Sequence, residues 1–387
     1  MFTIFDILRH WKPRCHASET YFLLKMNMFF GKKSALALFF SVLTAVLLAV
    51  SLLFLQTSCT SKPRLQFQKM MGIAQGSYYA ISYYADARQE GLNANALQPE
   101  IDSLLAVFDL CASLWNDSSE ICRVNRNEDI ELSEAFCDML VKSQQVSELT
   151  GGVFDVTVGP LVQAYGFTPG GGPSRLPGDE ELIEILQYVG WQKVRIEDSR
   201  LIKDHPLLRL DFNAIAQGYC SDMVSEYLES KGIATYLVDI GGEIRARGLK
   251  PDGSSWVVGI EKPAQDSLAQ QSILQKLALT DNSIVTSGNY RKYFEAGGQR
   301  YSHTINPQTG RPVQHNLLSA TILCKDCWEA DALATACMVW GTAPSRDFLQ
   351  KHPEYEAYLI YTEPVPGTDS LALRTWCTPG FSTLILE

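Results

Sequence analysis

Two short segments near the C-terminus combine residue types that could perform chemistry. Residues 301–312 place His303 among turn-forming residues, with Arg311 close behind. Further along, Asp331 and Thr335 stand four positions apart, so they share one face of any helix that they form. Carboxylate and hydroxyl oxygens bind hard cations, and histidine exchanges a proton near neutral pH. Together the two segments predict an enzyme that acts on a phosphate compound.

Each of these residues also has a plainer interpretation. A single histidine is more often structural than catalytic, and the dense polar turn around His303 gives the two interpretations equal weight. Asp331 could simply stabilise a helix dipole from the first turn, with Thr335 in the core. Two ligands also do not complete the shell of a cation, so backbone carbonyls, water or a substrate phosphate must supply the rest.

A glycine-rich stretch over residues 151–160 could bring the backbone close to a ligand. Gly151 and Gly152 permit such an approach, while Asp155 and Thr157 offer polar groups on one side. The same pattern is typical of a glycine turn that enters a strand. On its own, this stretch favours the turn.

Two further segments offer groups that suit phosphate. Residues 210–219 combine a strand end, the carboxylate of Asp211 and the start of a helix, whose free N–H groups suit phosphate oxygens. Asp211 could instead be the N-cap of that helix, which this segment alone favours. Thr286 and Ser287 supply hydroxyls on a predicted loop, where they suit contact with phosphate or ribose, or an ordinary turn.

Elements of both kinds must position these residues. Apolar spacing predicts helices over 97–112, 133–149, 179–189, 215–228 and 328–339. Strands are predicted over 78–84, 236–240, 256–261, 277–280 and 317–323, and a loop at 170–173. The elements alternate without a strict βαβ rhythm and without an internal linker. The sequence therefore predicts one catalytic unit of the α+β class.

Chain length and net charge limit the classes of function that the protein can have. The chain has 387 residues, enough for one large domain, and a net charge of −10. No block dense in lysine and arginine follows residue 62. Because nucleic-acid binding needs a basic face, that class of partner is excluded.

The N-terminus has the pattern of an export signal. Lys32 and Lys33 precede an apolar run over 34–55, and Cys59 follows shortly after. The pattern resembles a bacterial lipoprotein signal, with cleavage before Cys59 and a lipid on that cysteine. The alternative is a plain transmembrane anchor, because the run is long enough to span a bilayer. In either case we expect the rest of the chain in the cell envelope, outside the cytoplasm.

These features give a predicted domain organisation. Residues 1–58 form a targeting segment, whose true start is Met26 or Met28 because residues 1–25 fit poorly before a signal. Residues 59–70 form a polar tether, and residues 71–387 form the catalytic domain. Within that domain, Cys324 and Cys327 have metal-ligand spacing but lack a second pair, so we expect a local disulfide or two free thiols rather than zinc.

The motifs occur in an order that is similar to a known family. Across residues 72–345 the chain resembles the ApbE family, the FAD:protein FMN transferases, which are often periplasmic lipoproteins. The matching stretches are residues 113–121, 152–167, 210–222, 237–248, 286–290, 301–312 and 330–335. The resemblance implies the mixed α/β, T-fold-like catalytic unit of that family.

The resemblance also implies roles for individual residues. FAD, the substrate, would be contacted by Trp115, Phe154, Asp155, Val156, Thr157, Asp211, Gln217, Thr286 and Ser287. The metal ion, Mg²⁺ or alternatively Ca²⁺, would be held by Asp331, Thr335 and the carbonyl of Ala214. His303 matches the histidine that the family uses in catalysis.

The chain departs from the family pattern at two places. Gln217 stands where many members have lysine, which removes a positive charge facing the pyrophosphate. Gln75-Gly76-Ser77 replaces the usual Met-Gly-Thr, which leaves the flavin-side contact there undefined.

The implied reaction is the Mg²⁺-dependent transfer of FMN from FAD to a Thr or Ser hydroxyl of an acceptor protein, with release of AMP. Acceptors typical of the family are subunits of membrane redox complexes, and a lipid tether would keep the enzyme beside them. The same residues also fit a metal-dependent FAD pyrophosphatase that yields FMN and AMP. A third alternative is a periplasmic lipoprotein that binds FAD without turnover.

Overall fold

The computed structural model describes residues 37–48, 63–168, 176–263, 272–289, 293–296, 299–368 and 370–386. The chain divides into two compact units, Met1–Pro63 and Arg64–Glu387. In the first unit, residues 37–48 are helical and exposed. Within the described ranges, no helix is long and apolar enough to cross a membrane. Cys59, much of the apolar run and the predicted loop at 170–173 lie outside those ranges.

The second unit is built on antiparallel strands. In chain order, the described strands are β1 (Leu65–Ala74), β2 (Ser77–Asp86), β3 (Val194–Glu197), β4 (Arg200–Lys203), β5 (Tyr236–Ile240), β6 (Glu243–Arg247), β7 (Trp256–Glu261), β8 (Ile273–Leu279), β9 (Ser283–Gly288), β10 (Tyr293–Ala296), β11 (Gln299–Ser302), β12 (Leu317–Cys324), β13 (Glu356–Pro364), β14 (Leu371–Cys377) and β15 (Ile385–Leu386). Eight of these form one sheet in the order β1-β2-β5-β6-β9-β12-β13-β14. A smaller sheet has the order β15-β8-β7, and β3–β4 and β10–β11 are two-stranded.

Helices connect and cover these strands. In chain order, the described helices are α1 (Ala94–Ala112), α2 (Glu120–Asn125), α3 (Glu134–Leu149), α4 (Gly159–Ala164), α5 (Asp179–Leu186), α6 (Ala216–Ser230), α7 (Cys327–Trp340), α8 (Thr342–Lys351) and α9 (Pro379–Ser382). Asn93, Ser119 and Ser133 cap α1, α2 and α3, because each side chain accepts a bond from a backbone N–H in the first turn. Such a cap contributes about 1 kcal/mol to stability.

The main core lies between the large sheet and the helices. Alternation along β2 points Tyr79, Ile81 and Tyr83 to the buried face. This face packs against α1, α3, α6 and α7 in one apolar cluster. Helix α7 is apolar on nearly all sides, as expected for a helix buried on all sides. The opposite face is covered in part by the small sheet, through a second cluster that contains Trp256 and Phe381.

The α+β class predicted from the sequence is confirmed. The predicted strand over 236–240 coincides with β5, and the predicted helix over 328–339 falls within α7. The predicted tether over 59–70 overlaps β1, which begins at Leu65 because residues 65–74 pair along their whole length with β2. Of the two states expected for Cys324 and Cys327, the structure shows two buried free thiols, and burial raises the pKa of each thiol.

Helices α6 and α7 meet at their first turns. The Gly218 N–H of α6 donates to Asp331 Oδ2 of α7 at 3.0 Å. One turn further along α6, Asp222 accepts from the first backbone N–H groups of α7, so the two helices run in opposite directions. A Cβ atom at Gly218 would lie 2.4 Å from the Cys327 carbonyl oxygen. Glycine is therefore what permits this close contact.

The contact gives a first prediction. Gly218→Ala should lower the free energy of unfolding by about 3 kcal/mol, because the added methyl group forces the two helices apart. The matched control is Gly91→Ala, where a Cβ would meet no atom within 4 Å. That change should stay within about 0.5 kcal/mol. Urea unfolding followed by circular dichroism measures both values, and equal effects would contradict the packing described.

Candidate active site

Asp331 is the buried carboxylate of the site. Asp331 is only 5% exposed, and its carboxylate accepts a hydrogen bond from the Gly218 N–H. Burial raises the pKa of Asp331 to about 7, and only the bond from Gly218 opposes this. Among the described residues, no lysine or arginine forms an ion pair with Asp331. A buried carboxylate without such a partner fits a bound cation.

Two hydroxyl side chains, Thr335 and Ser287, lie beside each other near this position on α7. Thr335 follows Asp331 by one turn of α7, as the spacing predicted. Its Oγ1 lies 3.5 Å from Ser287 Oγ on β9. The predicted loop around Thr286 and Ser287 is wrong, because both residues belong to β9 and pair with β12. The neighbouring hydroxyl of Thr286 is bonded to Thr321 at 2.8 Å.

Ala214 and Gln217 flank the start of α6. Ala214 is half-buried and lies two residues before the helix, whose N-cap, Ile215, has no side-chain cap bond. Gln217 lies over the Gly241 turn, where its Nε2 would be 2.4 Å from a Cβ atom added at Gly241. Gly241 has φ of +71°, so glycine is required there for conformation as well as space. Glu243 Oε2 lies within 3.1 Å of the same added atom.

Asp211 is held by hydrogen bonds to its own segment and to the glycine-rich stretch. Its Oδ1 accepts from Asn213 N–H at 2.8 Å, and its own N–H donates to the Val156 carbonyl at 2.8 Å. The alternative that Asp211 is the N-cap of the helix is wrong, because α6 begins five residues later. Burial raises the pKa of Asp211. The preceding residue, Leu210, exchanges two backbone hydrogen bonds with the buried side chain of Asn125.

In the glycine-rich stretch, the side chains from Phe154 to Thr157 are buried. Phe154 and Val156 are buried in the main core. Asp155 accepts from the N–H and Oγ1 of Thr157 through one oxygen, and from Trp191 N–H through the other. Asp155 and Thr157 therefore make hydrogen bonds within the protein, and the FAD contacts expected from Phe154 to Thr157 stay a prediction. The stretch continues into the short helix α4, not into the strand that the alternative predicted.

His303 lies on a separate loop with its own anchors. Ile305 buries its side chain in a third apolar cluster formed with α4 and α5. Gln308 Nε2 donates to the Gly151 carbonyl at 2.8 Å, and Arg311 pairs with Asp179. The imidazole of His303 is half-buried and contacts the edge of the Phe167 ring, with centroids 6.4 Å apart. The polar residues around His303 therefore fix the loop that carries it.

Trp115 occupies the loop between α1 and α2 and is 74% exposed. An exposed indole in a protein of this size is available to stack on a flat ring. The structure thus joins Asp331 to Gly218, next to Gln217 in the first turn of α6, and Thr335 to Ser287. Trp115 and His303 lie on two other loops.

Two residues of this region were missed from the sequence. Asn125 clamps Leu210, and nothing in the sequence distinguishes it from an ordinary helix-terminal asparagine. Asp222 caps α7 from α6. Its position four residues after Gly218 places both on one helix face, which is the only signal that the sequence contains.

Comparisons with known proteins show which proteins this chain is similar to. A FAD:protein FMN transferase of Vibrio cholerae serotype O1 is 41% identical over 299 residues, which cover 76% of this chain and 87% of that protein. The solved structure of the flavin transferase ApbE from Vibrio cholerae has a TM-score of 0.71 at 35% identity, covering 83% of this chain and 99% of that one. The apo flavinyl transferase ApbE of Pseudomonas stutzeri gives a TM-score of 0.73 at 32% identity, covering 84% and 98%.

The similarities define the class of the protein as a flavin transferase. The chain belongs to the ApbE family, whose profile matches residues 75–359. The family and the transferase class predicted from the sequence are therefore confirmed.

The raised pKa of Asp331 gives a prediction for the metal-free protein. Between about pH 4 and pH 7 this carboxyl is protonated when folded and ionised when unfolded, so its contribution to stability is lost as the pH rises to 7. Relative to Asp331→Asn, the wild type should lose about 2 to 3 kcal/mol of unfolding free energy between pH 5 and pH 8. Urea unfolding in EDTA measures this difference. Thr335→Val, which removes no titrating group, should follow the wild type; a parallel course for Asp331→Asn would refute the assignment.

Proposed function

We propose that the chain transfers FMN from FAD to a Thr or Ser hydroxyl of an acceptor protein, with release of AMP, in a reaction that requires Mg²⁺. The observation that carries this proposal is the contact between Asp331 and Gly218. It joins a buried carboxylate to the start of α6, one turn from the hydroxyl of Thr335. The names of the relatives support the substrate and the protein acceptor.

The donor atoms at this position fit a hard cation. Asp331, Thr335 and the carbonyl of Ala214 offer only oxygen, which Mg²⁺ and Ca²⁺ prefer. We favour Mg²⁺, because phosphate-transfer sites combine it with one or two carboxylates and substrate phosphates. When bound, the cation would supply positive charge to the pyrophosphate oxygens during transfer. The neutral Gln217 supports this requirement, because it contributes no charge of its own to the pyrophosphate.

Several side chains support binding and orientation of FAD. The exposed ring of Trp115 is free to stack on a flat group of the substrate, a contact worth about 1 kcal/mol. The hydroxyl of Ser287 lies beside Thr335, and the carboxamide of Gln217 belongs to the first turn of α6; both groups can donate to phosphate oxygens. Asp211 is fixed by Asn213 and by Asn125 through Leu210, which preorganises the backbone before α6.

In the transfer step, the acceptor hydroxyl oxygen attacks the FMN-side phosphorus of FAD. A new phosphorus–oxygen bond forms to the acceptor, and the bond to the bridging oxygen breaks, so AMP leaves with that oxygen. His303 accepts the hydroxyl proton or stabilises the transition state, for which an imidazole is suited near neutral pH. Little covalent chemistry is needed from the protein, so positioning by α6, α7 and the His303 loop supplies most of the effect.

The acceptor and the location follow from the N-terminus. We propose that the protein is exported, that Cys59 carries a lipid, and that the tether holds the domain at the periplasmic side of a membrane. Subunits of membrane redox complexes are then the nearest class of acceptor. The net charge of −10 argues against a nucleic-acid partner.

The function is tested with the full chain, FAD, Mg²⁺ and membrane proteins from cells that lack the enzyme. A fluorescent band on a denaturing gel, together with AMP, is the expected result. AMP with free FMN and no labelled protein would show a pyrophosphatase, and unchanged FAD would show a binding protein. Asp331→Ala should lose metal-dependent turnover, whereas His303→Ala should still bind FAD but react about 10²- to 10⁴-fold more slowly. Full activity in both variants would contradict the site.

Gln217 gives a further prediction. Gln217→Lys places a positive charge near the pyrophosphate, so the Mg²⁺ concentration for half-maximal rate should fall about fivefold. The effect should be moderate, because Glu243 lies beside the same glycine turn and would neutralise part of the charge. Gln217→Met, of similar length and without charge, is the control and should not lower the requirement. A titration of initial rate against Mg²⁺ measures this, and identical curves for lysine and methionine would refute it.

A further inference from the structure

The first turn of α7 is capped from another helix. Asp222 of α6 accepts from Cys327 N–H at 3.0 Å through Oδ1 and from Trp328 N–H at 2.9 Å through Oδ2. Helix N-termini are usually capped by the preceding residue, but Asp326 makes no side-chain cap bond here. Both oxygens of Asp222 are therefore used to hold α7 at one place on α6.

Arg245 of β6 completes the cluster. It forms an ion pair with Asp222, and its Nη1 atom also lies 3.2 Å from Asp326 Oδ1. Asp222 is 7% exposed, and burial raises its pKa to about 6, an effect that the positive charge of Arg245 opposes. The arginine thus keeps the buried carboxylate able to accept two bonds, and it ties the start of α7 to the large sheet.

The register of the two helices links this cluster to the proposed cation site. Asp222 follows Gly218 by one turn of α6, and Cys327 precedes Asp331 by one turn of α7. The hydrogen bonds between Asp222 and Cys327 and between Gly218 and Asp331 therefore join the same two antiparallel helices one turn apart. Two such contacts fix both the rotation of α7 about its axis and its position along α6.

We propose that Asp222, held by Arg245, is a positioning residue that sets where Asp331 and Thr335 lie relative to the Ala214 carbonyl. This inference rests on the proposed function, because it assumes that these three groups hold the cation. Asp222 does not touch the cation or FAD in this account. It acts through α7, so its loss weakens cation binding without removing a ligand.

A second ion pair between the same two elements provides a matched control. Arg247 of β6 pairs with Glu229 of α6, about two turns along the helix from Asp222. Glu229 accepts in addition from Tyr236 Oη at 2.6 Å, but no hydrogen bond in the described part of the chain joins it to α7. Glu229→Gln therefore removes a more exposed ion pair between the same two elements, while leaving both contacts between α6 and α7 in place.

The test measures Mn²⁺ binding to the metal-free full chain in detergent by electron paramagnetic resonance, with and without FAD. Asp222→Asn should weaken the Kd for Mn²⁺ about tenfold or more, as is typical when an orienting partner of a ligand is lost. Glu229→Gln should stay within about twofold. The Kd for FAD without metal should be unchanged in both, and turnover of Asp222→Asn should recover at saturating Mn²⁺.

An unchanged Kd for Mn²⁺ in folded Asp222→Asn, together with a lowered Tm, would overturn the proposal and leave Asp222 an ordinary helix cap. Arg245→Lys provides a second variant, because lysine keeps the charge but lacks the planar guanidinium whose Nη1 contacts both Asp222 and Asp326. It should weaken Mn²⁺ binding about threefold, and wild-type affinity there would count against the cluster. Asp331→Ala separates the two hypotheses: if it binds Mn²⁺ as the wild type does, the proposed site itself fails.

Discussion

The close contact between α6 and α7 is the constraint on which the rest of the site depends. Each helix supplies an aspartate that accepts from the backbone N–H groups at the start of the other: Asp331 for α6 and Asp222 for α7. The exchange satisfies donors that a helix start otherwise leaves to solvent, and it places two carboxylates in a buried position. Gly218 is required at the crossing because any side chain would meet the backbone of α7.

Other kinds of interaction hold the loops and segments around the α6–α7 contact. Asp155 gathers Thr157 and Trp191 by hydrogen bonds, and Asn125 clamps the backbone of Leu210. The His303 loop is anchored by an apolar side chain and an exposed ion pair. A buried carboxylate at the start of α6 and a neutral side chain at position 217 make the region poor in positive charge. The divalent cation that we propose would supply that charge to a pyrophosphate substrate there.

The sequence could predict the elements and the order of the motifs, but not the roles of buried polar residues. Asp331 and Thr335 were placed correctly on one helix because helical spacing depends only on local chain geometry. Asp155 and Thr157 accept hydrogen bonds from residues more than thirty positions away, which no local sequence pattern predicts. Thr286 and Ser287 are residue types common in turns and so predict a loop, but pairing with β12 makes them part of strand β9. Asp222 was missed for the same reason: its partners are over a hundred residues distant.

The central claim, that a cation binds between α6 and α7, is tested most directly by crystals of the chain grown with FAD and Mn²⁺. An anomalous difference map recorded at the manganese edge locates the ion without reference to activity. The account predicts one peak bonded to Asp331, Thr335 and the carbonyl of Ala214, next to the pyrophosphate of FAD. A manganese peak bonded to other residues, with these three oxygens left without metal, would contradict it.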